Sequence, residues 1–206
     1  MTENEIVILI LGVIGAYLIG SLSCAILISK LFRLPDPRLS GSKNPGTTNV
    51  LRLGGKVPAL LTLIGDVAKG WVPLFLIQKF TTNPWIISAV LVAVIVGHLF
   101  PVFFKFKGGK GVATAFGGLM GLSLALGIAL IFTWLLMLFL FNYSSLSSLV
   151  TILSLPLFAW KGLVDKRYIP ALIIIALLIL WRHKENIYRL IKGKESKTTF
   201  KSKTKG

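Results

Sequence analysis

Val112 to Tyr143 reads VATAFGGLMGLSLALGIALIFTWLLMLFLFNY, 32 consecutive residues with no Asp, Glu, Lys, Arg or His. As one helix it would be about 48 Å long at ~1.5 Å per residue, well beyond the ~30 Å of a bilayer's hydrocarbon core. The expectation is a tight pair of short helices turning between Gly121 and Gly127. Outward from this stretch, apolar runs occupy 6–31, 57–78 and Pro84 to Phe104 on one side, and 149–160 and 169–181 on the other. Gly12, Gly15 and Gly20 in the first run offer close helix contacts. With 54% hydrophobic residues gathered in uncharged blocks, a soluble domain is excluded, since it would lack the polar residues to cover itself. The fold class expected is all-α, a polytopic integral membrane bundle of seven transmembrane helices.

The net charge of +16 would on a soluble protein raise the question of nucleic acid. Its distribution points instead to the membrane surface. Nine of the 23 Lys and Arg follow Trp181, five lie between Phe32 and Val57, and three lie in 105–110. Such juxtamembrane clusters mark the cytoplasmic side and contact with anionic headgroups. The loops at 33–56 and 105–111 and the tail from Arg182 are therefore expected inside, with the N-terminus outside. An even number of crossings must separate the second loop from the tail, which is why 112–143 is read as a pair. The turn at 161–168, with Lys161, Asp165, Lys166 and Arg167, then falls outside, against the charge rule locally. Met1-Thr2-Glu3-Asn4-Glu5 is acidic where a cleavable signal peptide would be basic, so the first span is expected to stay. Residues 1–195 form one domain without internal repeats, and 196–206 read as a disordered basic tail. Cys24, the single cysteine, forms no intrachain disulfide.

Four polar segments share the inner face of this topology. Ser40-Gly41-Ser42-Lys43-Asn44-Pro45-Gly46-Thr47-Thr48-Asn49, followed by Arg52, can turn backbone N–H groups onto an anion with cations beside it; an ordinary turn capped by Thr48 or Asn49 needs fewer such residues. Lys107-Gly108-Gly109-Lys110-Gly111-Val112-Ala113-Thr114 can bring donors and a helix start up to a phosphate, or serve only as a connector. Its spacing is not that of a nucleotide P-loop. Ser144 to Ser148 starts a helix. In Arg182-His183-Lys184-Glu185-Asn186-Ile187, His183 and Asn186 share a helix face, while Arg182, Lys184 and Arg189 read as snorkelling cations. Within the spans, Asp66 and Lys69 stand three apart as a structural ion pair, and His98 is a hydrogen-bonded structural histidine. Two histidines and one cysteine, scattered, supply no zinc site, and seven carboxylates without a paired spacing argue against metal-assisted phosphoryl transfer, so no metal or cofactor is expected. Phe103 and Tyr188 stand where a His-x4-Asp acyltransferase motif needs aspartate.

Taken in order, these segments resemble the acyl-phosphate:glycerol-3-phosphate acyltransferases of bacterial inner membranes, the PlsY family. The resemblance spans residues 1 to about 195. It rests on Gly41-Ser42-x-Asn44-x-Gly46-x-Thr48-Asn49-x-x-Arg52, Asp66-x-x-Lys69-Gly70, Gly97-His98-x-Phe100-Pro101-Val102, Gly108-Gly109-Lys110-Gly111-Val112-Ala113-Thr114 and Arg182-His183-x-x-Asn186-Ile187. Lys43 and Thr47 depart from the family's usual glycine and alanine.

The resemblance implies a seven-helix enzyme that makes lysophosphatidic acid from glycerol 3-phosphate and a long-chain acyl phosphate supplied by a soluble partner enzyme. It works at the cytoplasmic face of the inner membrane, without cofactor and without nucleic acid. Ser42, Arg52, Lys110, Ser148, His183 and Asn186 are assigned to glycerol 3-phosphate. Asn44, Gly46, Thr47, Thr48 and Asn49, with the backbone of Gly108, Gly109 and Gly111, are assigned to the acyl phosphate. His183, Asn186 and Lys110 are the catalytic candidates, with either His183 or the substrate phosphate taking the hydroxyl proton. An organic-anion transporter is the rival reading; it would show broken helices at mid-membrane and repeated halves.

Overall fold

The computed structural model describes residues 1–163 and 165–198. Among them are ten α-helices and no strand: α1 (Glu3–Gly20), α2 (Cys24–Leu31), α3 (Thr47–Gly54), α4 (Lys56–Ile77), α5 (Pro84–Leu99), α6 (Val112–Leu122), α7 (Leu124–Phe141), α8 (Ser144–Phe158), α9 (Ile169–Arg182) and α10 (Lys184–Ile191). Four segments are long and apolar enough to cross a bilayer: Glu3–Leu31, Lys56–Ile77, Pro84–Phe104 and Leu124–Phe141. Outward-facing apolar side chains such as Phe139 and Leu177, 81% and 61% exposed, suit a lipid surround. Short turns at Val102–Phe104, Ala159–Leu163 and Lys166–Tyr168 complete the path. Of the turn expected at 161–168, Val164 lies outside the described residues, as do residues 199–206 of the tail.

Local chemistry sets the helix ends. α1 opens with a capping box, Thr2 Oγ1 accepting from the Glu5 N–H at 3.3 Å while the Glu5 carboxylate accepts from the Thr2 N–H at 3.0 Å. α5 has Asn83 as its cap and Pro84 in its first turn. The charge-free stretch breaks at Ser123, whose extended backbone ends α6 and whose hydroxyl accepts from the Leu126 N–H at 3.3 Å to start α7. The break falls inside the Gly121 to Gly127 window.

The run 6–31 is not one helix. It is interrupted at Ser21, Leu22 and Ser23, and the Leu22 carbonyl so released accepts from the Lys69 ammonium at 2.7 Å. Lys69 also stands 2.7 Å from the Asp66 carboxylate, both side chains being at most 5% exposed. A buried charge costs several kcal/mol unless paired and hydrogen-bonded, so the interruption supplies an acceptor that the ammonium needs. The serine cluster is helical, and Ser147 and Ser148 satisfy their buried hydroxyls by donating back to the carbonyls of Tyr143 and Ser144. Ser196 to Thr198 also depart from the disordered tail expected there: the Thr198 N–H donates to the Asn142 carbonyl at 2.7 Å.

α5 is the axis of the bundle, with Ile86, Leu91, Val94, Ile95 and Leu99 fully buried. α1 packs on α5, α4 on α6 and α7 on α8. The α4–α6 pair approaches at backbone distance: a Cβ on Gly70 would strike the Thr114 carbonyl, and one on Gly117 the Val67 carbonyl. Gly20 and Gly97 make the same reciprocal approach between α1 and α5, whereas Gly15 faces open space and makes no close contact. A side chain at position 117 can be accommodated only by moving a helix. Gly117→Leu is expected to cost at least about 2 kcal/mol, read as a lower thermal-unfolding midpoint in detergent, while Gly15→Ala leaves the midpoint unchanged or raises it. Equal midpoints for the wild type and Gly117→Leu would refute this packing.

Candidate active site

A cavity of about 750 Å³ is walled on one side by polar groups from the 41–52 segment, Lys110 and Gly111, the start of α8, and the α9–α10 corner. Leu63 and Val67 of α4, Phe116 of α6, and Ile131, Trp134 and Leu135 of α7 make its apolar wall. Ser42, Arg52, Lys110, Ser148, His183 and Asn186 all reach it, as do Asn44, Gly46, Thr47, Thr48, Asn49 and Gly111. Gly108 and Gly109 do not line it. The Gly109 N–H is spent on the His98 carbonyl at 3.2 Å, so it is not the free donor expected there.

The 37–49 loop is wound around Asn49. Its Oδ1 accepts from the Ser42 N–H at 2.8 Å, and its Nδ2 donates to the carbonyls of Pro37 and Ser40 at 2.9 and 3.0 Å. Gly41, at φ +63, lies where a Cβ would collide with that Oδ1. Asn49 therefore shapes the loop, and both N–H donors of its side chain are used, leaving none for an anion. The loop presents Gly46 and the first turn of α3 to the cavity, and Thr48 is tied to Ser144 of α8 by a hydroxyl–hydroxyl hydrogen bond of 3.1 Å. Ser148 is similarly engaged, donating to the Ser144 carbonyl at 2.8 Å and accepting from the Trp134 indole at 3.1 Å.

The glycine loop is held by a residue read from sequence as a snorkelling cation. The Arg182 guanidinium donates through Nε to the Gly109 carbonyl at 3.0 Å and through Nη2 to the Gly108 carbonyl at 2.7 Å. A planar fork on two successive carbonyls fixes the loop's orientation, which lysine cannot reproduce. The next residue, Lys110, donates from its ammonium to the Asn186 side-chain carbonyl. Asn186 Nδ2 donates in turn to Glu195 at 2.7 Å, and Arg189 Nε donates to the other oxygen of the same carboxylate at 2.7 Å. Arg189 and Glu195 were invisible to motif reading: one looked like an ordinary juxtamembrane cation, the other a lone acid among lysines. The short spacing from Asn186 to Arg189 on one helix face was the available signal.

Burial sets the electrostatics. It pushes Lys110 down to about 8, with the Glu195 charge partly opposing, and it pushes His183, aided by nearby Lys110, down to about 4. His183 is thus neutral near pH 7. Its Nδ1 faces the Ile179 carbonyl at 2.8 Å, an acceptor only, so Nδ1 carries the proton and Nε2 is left as an acceptor. Deeper in the bundle, Thr114 Oγ1 and His98 Nδ1 share a 3.0 Å hydrogen bond. Chemically, the site can bind an anionic head group at its polar wall and an attached hydrocarbon chain along its apolar one.

The sequence profile of the family described as Glycerol-3-phosphate acyltransferase matches residues 10–193. The chain is 50% identical over 190 residues to a glycerol-3-phosphate acyltransferase of Photobacterium profundum, covering 92% of this chain and 93% of that one. It is 51% identical over 185 residues to the enzyme of Methylobacillus flagellatus, covering 89% and 94% of the two chains. Crystal structures of PlsY, an integral membrane glycerol 3-phosphate acyltransferase, superpose with a TM-score of 0.88 and 36% identity in the glycerol 3-phosphate form. Coverage in that superposition is 93% of this chain and 96% of that one. The lysophosphatidic acid form gives a TM-score of 0.86.

Lys110 is cationic below its value of about 8 and neutral above it. Sulfate stays a dianion across this range, so its affinity for the detergent-solubilised protein, measured calorimetrically, should fall as pH rises through about 8. Lys110→Arg should remove that alkaline loss; a pH-independent wild-type affinity would contradict the placement of the Lys110 ammonium at the anion site.

Proposed function

The chain belongs to the glycerol-3-phosphate acyltransferase family, and from that premise we propose that it moves a fatty acyl group from a long-chain acyl phosphate to the sn-1 hydroxyl of glycerol 3-phosphate. The products are lysophosphatidic acid and inorganic phosphate. The observation that carries this reading is the two-sided cavity: Lys110, Arg52, Asn186 and the start of α3 gather beside an apolar wall built from α4, α6 and α7. An acyl phosphate has this pair of ends, and a second small phosphate ester needs the further cations.

Acyl phosphate is a mixed anhydride whose leaving group is already good, so positioning and charge stabilisation are the main requirements. In the reaction the sn-1 oxygen bonds to the acyl carbon, the carbon–oxygen bond to phosphate breaks, and phosphate leaves with the electron pair. Lys110, with Asn186 orienting it, is assigned to the charge that grows on the phosphate side. His183 Nε2 is assigned to accept the hydrogen bond of the sn-1 hydroxyl. Buried and weakly basic, it orients that hydroxyl, and a phosphate oxygen of the substrate takes the proton. Gly46, Thr47 and Thr48, at the start of α3, are the amide donors for the acyl phosphate, together with Asn44 and Gly111.

The topology that goes with this reading has seven crossings, α1 with α2 counting as one, followed by α4, α5, α6, α7, α8 and α9. The N-terminus lies outside and the site at the cytoplasmic face of the bacterial inner membrane, where a soluble enzyme can deliver the acyl donor.

Purified protein given palmitoyl phosphate and radiolabelled glycerol 3-phosphate should form labelled lysophosphatidic acid; palmitoyl-CoA in its place should give none. Lys110→Ala and Asn186→Ala should each reduce kcat about 100-fold or more while leaving a monodisperse protein in detergent. Product from the thioester alone would refute the donor, and near-normal rates in both variants would refute the site.

A further inference from the structure

From Lys192 to Gly206 the chain carries six lysines and a single acid, Glu195. After α10 the chain turns at Gly193, whose φ is +64, and the Lys194 N–H donates back to the Arg189 carbonyl at 2.8 Å. The segment then runs to the α7–α8 corner, where Thr198 is anchored twice: its N–H donates to the Asn142 carbonyl at 2.7 Å, and its Oγ1 accepts from the Ser144 N–H at 3.2 Å. Between these anchors Glu195 enters the cavity. One carboxylate oxygen accepts from Ser145 Oγ at 2.8 Å and Asn186 Nδ2 at 2.7 Å, and the other from Arg189 Nε at 2.7 Å. Its side chain is only 8% exposed, while Lys194 and Lys197 on either side face outward.

A carboxylate with donors converging on both oxygens, one of them a guanidinium, is placed as a phosphate would be. Burial raises its proton affinity, yet the hydrogen bonds from Arg189, Ser145 and Asn186 outweigh this and hold it below the usual carboxylate range. It is therefore a poor base, and its part is that of a bound anion. Asn186, which also accepts from Lys110, belongs to the catalytic assignment above, so an anion seated here and an arriving phosphate dianion compete for its N–H donor.

We propose that Glu195 is an internal stand-in for the substrate phosphate: Ser145, Asn186 and Arg189 form the phosphate subsite for glycerol 3-phosphate, and the 193–198 segment swings out when substrate enters. This rests on the acyltransferase reading for the identity of the anion, though the geometry alone calls for a phosphate-like group. A tethered competitor raises the apparent KM by the reciprocal of the fraction of open molecules. Thr198 anchors the segment outside the catalytic groups, so loosening it acts in the same direction as removing the charge.

The test compares full-length variants. Glu195→Gln should lower KM for glycerol 3-phosphate about 5-fold, and Thr198→Val should lower it by a smaller factor. In the Glu195→Gln background, Ser145→Ala and Arg189→Gln should raise KM again, because they remove ligands rather than the competitor. Independently of catalysis, inorganic phosphate should accelerate tryptic cleavage after Lys197 of the wild type. An unchanged or raised KM in Glu195→Gln overturns the proposal, as does protection of Lys197 by phosphate, which would mean that the segment closes over the ligand. A wild type inactive with acyl phosphate, but showing the phosphate-accelerated cleavage, would sink the acyltransferase reading and leave the stand-in intact.

Discussion

The Arg182 guanidinium, laid across the carbonyls of Gly108 and Gly109, joins the end of α9 to the loop that precedes α6. Those carbonyls belong to a loop without side chains to anchor it, and the fork gives it one orientation. Lys110 follows directly and meets Asn186, four residues beyond Arg182 and past the α9–α10 corner. The charge, the loop and the amide are set by one bidentate contact, supported from below by the Gly109 N–H on the His98 carbonyl. The reciprocal glycine contacts of α4 with α6 serve the same end, since α6 begins at the residue after Gly111 and cannot drift while Gly117 lies against the Val67 carbonyl.

Much of this architecture was legible before any coordinates. Charge-free length forces helices, because unpaired backbone groups cannot be left in lipid. The Ser123 break was legible as a necessity of length, and the ordered polar motifs do meet around one cavity. What was hidden depended on where individual hydrogen bonds end. Asn49 looks like a ligand in a polar loop, yet both N–H donors of its amide are used in folding that loop. Gly109 looks like a free donor, yet its N–H is committed. The interruption at Ser21 to Ser23 carries no proline; its cause is an ammonium forty-seven residues away that takes the Leu22 carbonyl. Periodicity and composition carry no information about such long-range partners, and lone residues such as Glu195 belong to no motif.

Two kinds of polar group thus coexist in the molecule. Asp66, Lys69, Thr114 and His98 are buried among helices, Lys69 against the Asp66 carboxylate and the Leu22 carbonyl and Thr114 against His98, with Asp66 and His98 bordering the cavity. Lys110, Asn186, Arg189 and Ser145 form a second set of contacts, closed by Glu195, at the polar wall of the cavity. Members of both networks line the same cavity, one network running between the helices and the other along its polar wall.

The apolar wall of that cavity has one further implication. Leu63 and Leu135 line it and remain 38% and 52% exposed, so the wall offers apolar surface that other side chains do not cover. On the function proposed above, a long hydrocarbon tail laid against this wall would stay out of water. Exposing each methylene to water would cost about 0.8 kcal/mol, a barrier that would grow with every carbon of the chain. A tail that entered along the plane of a leaflet would avoid that barrier, and its amphiphile would already be in the membrane on leaving.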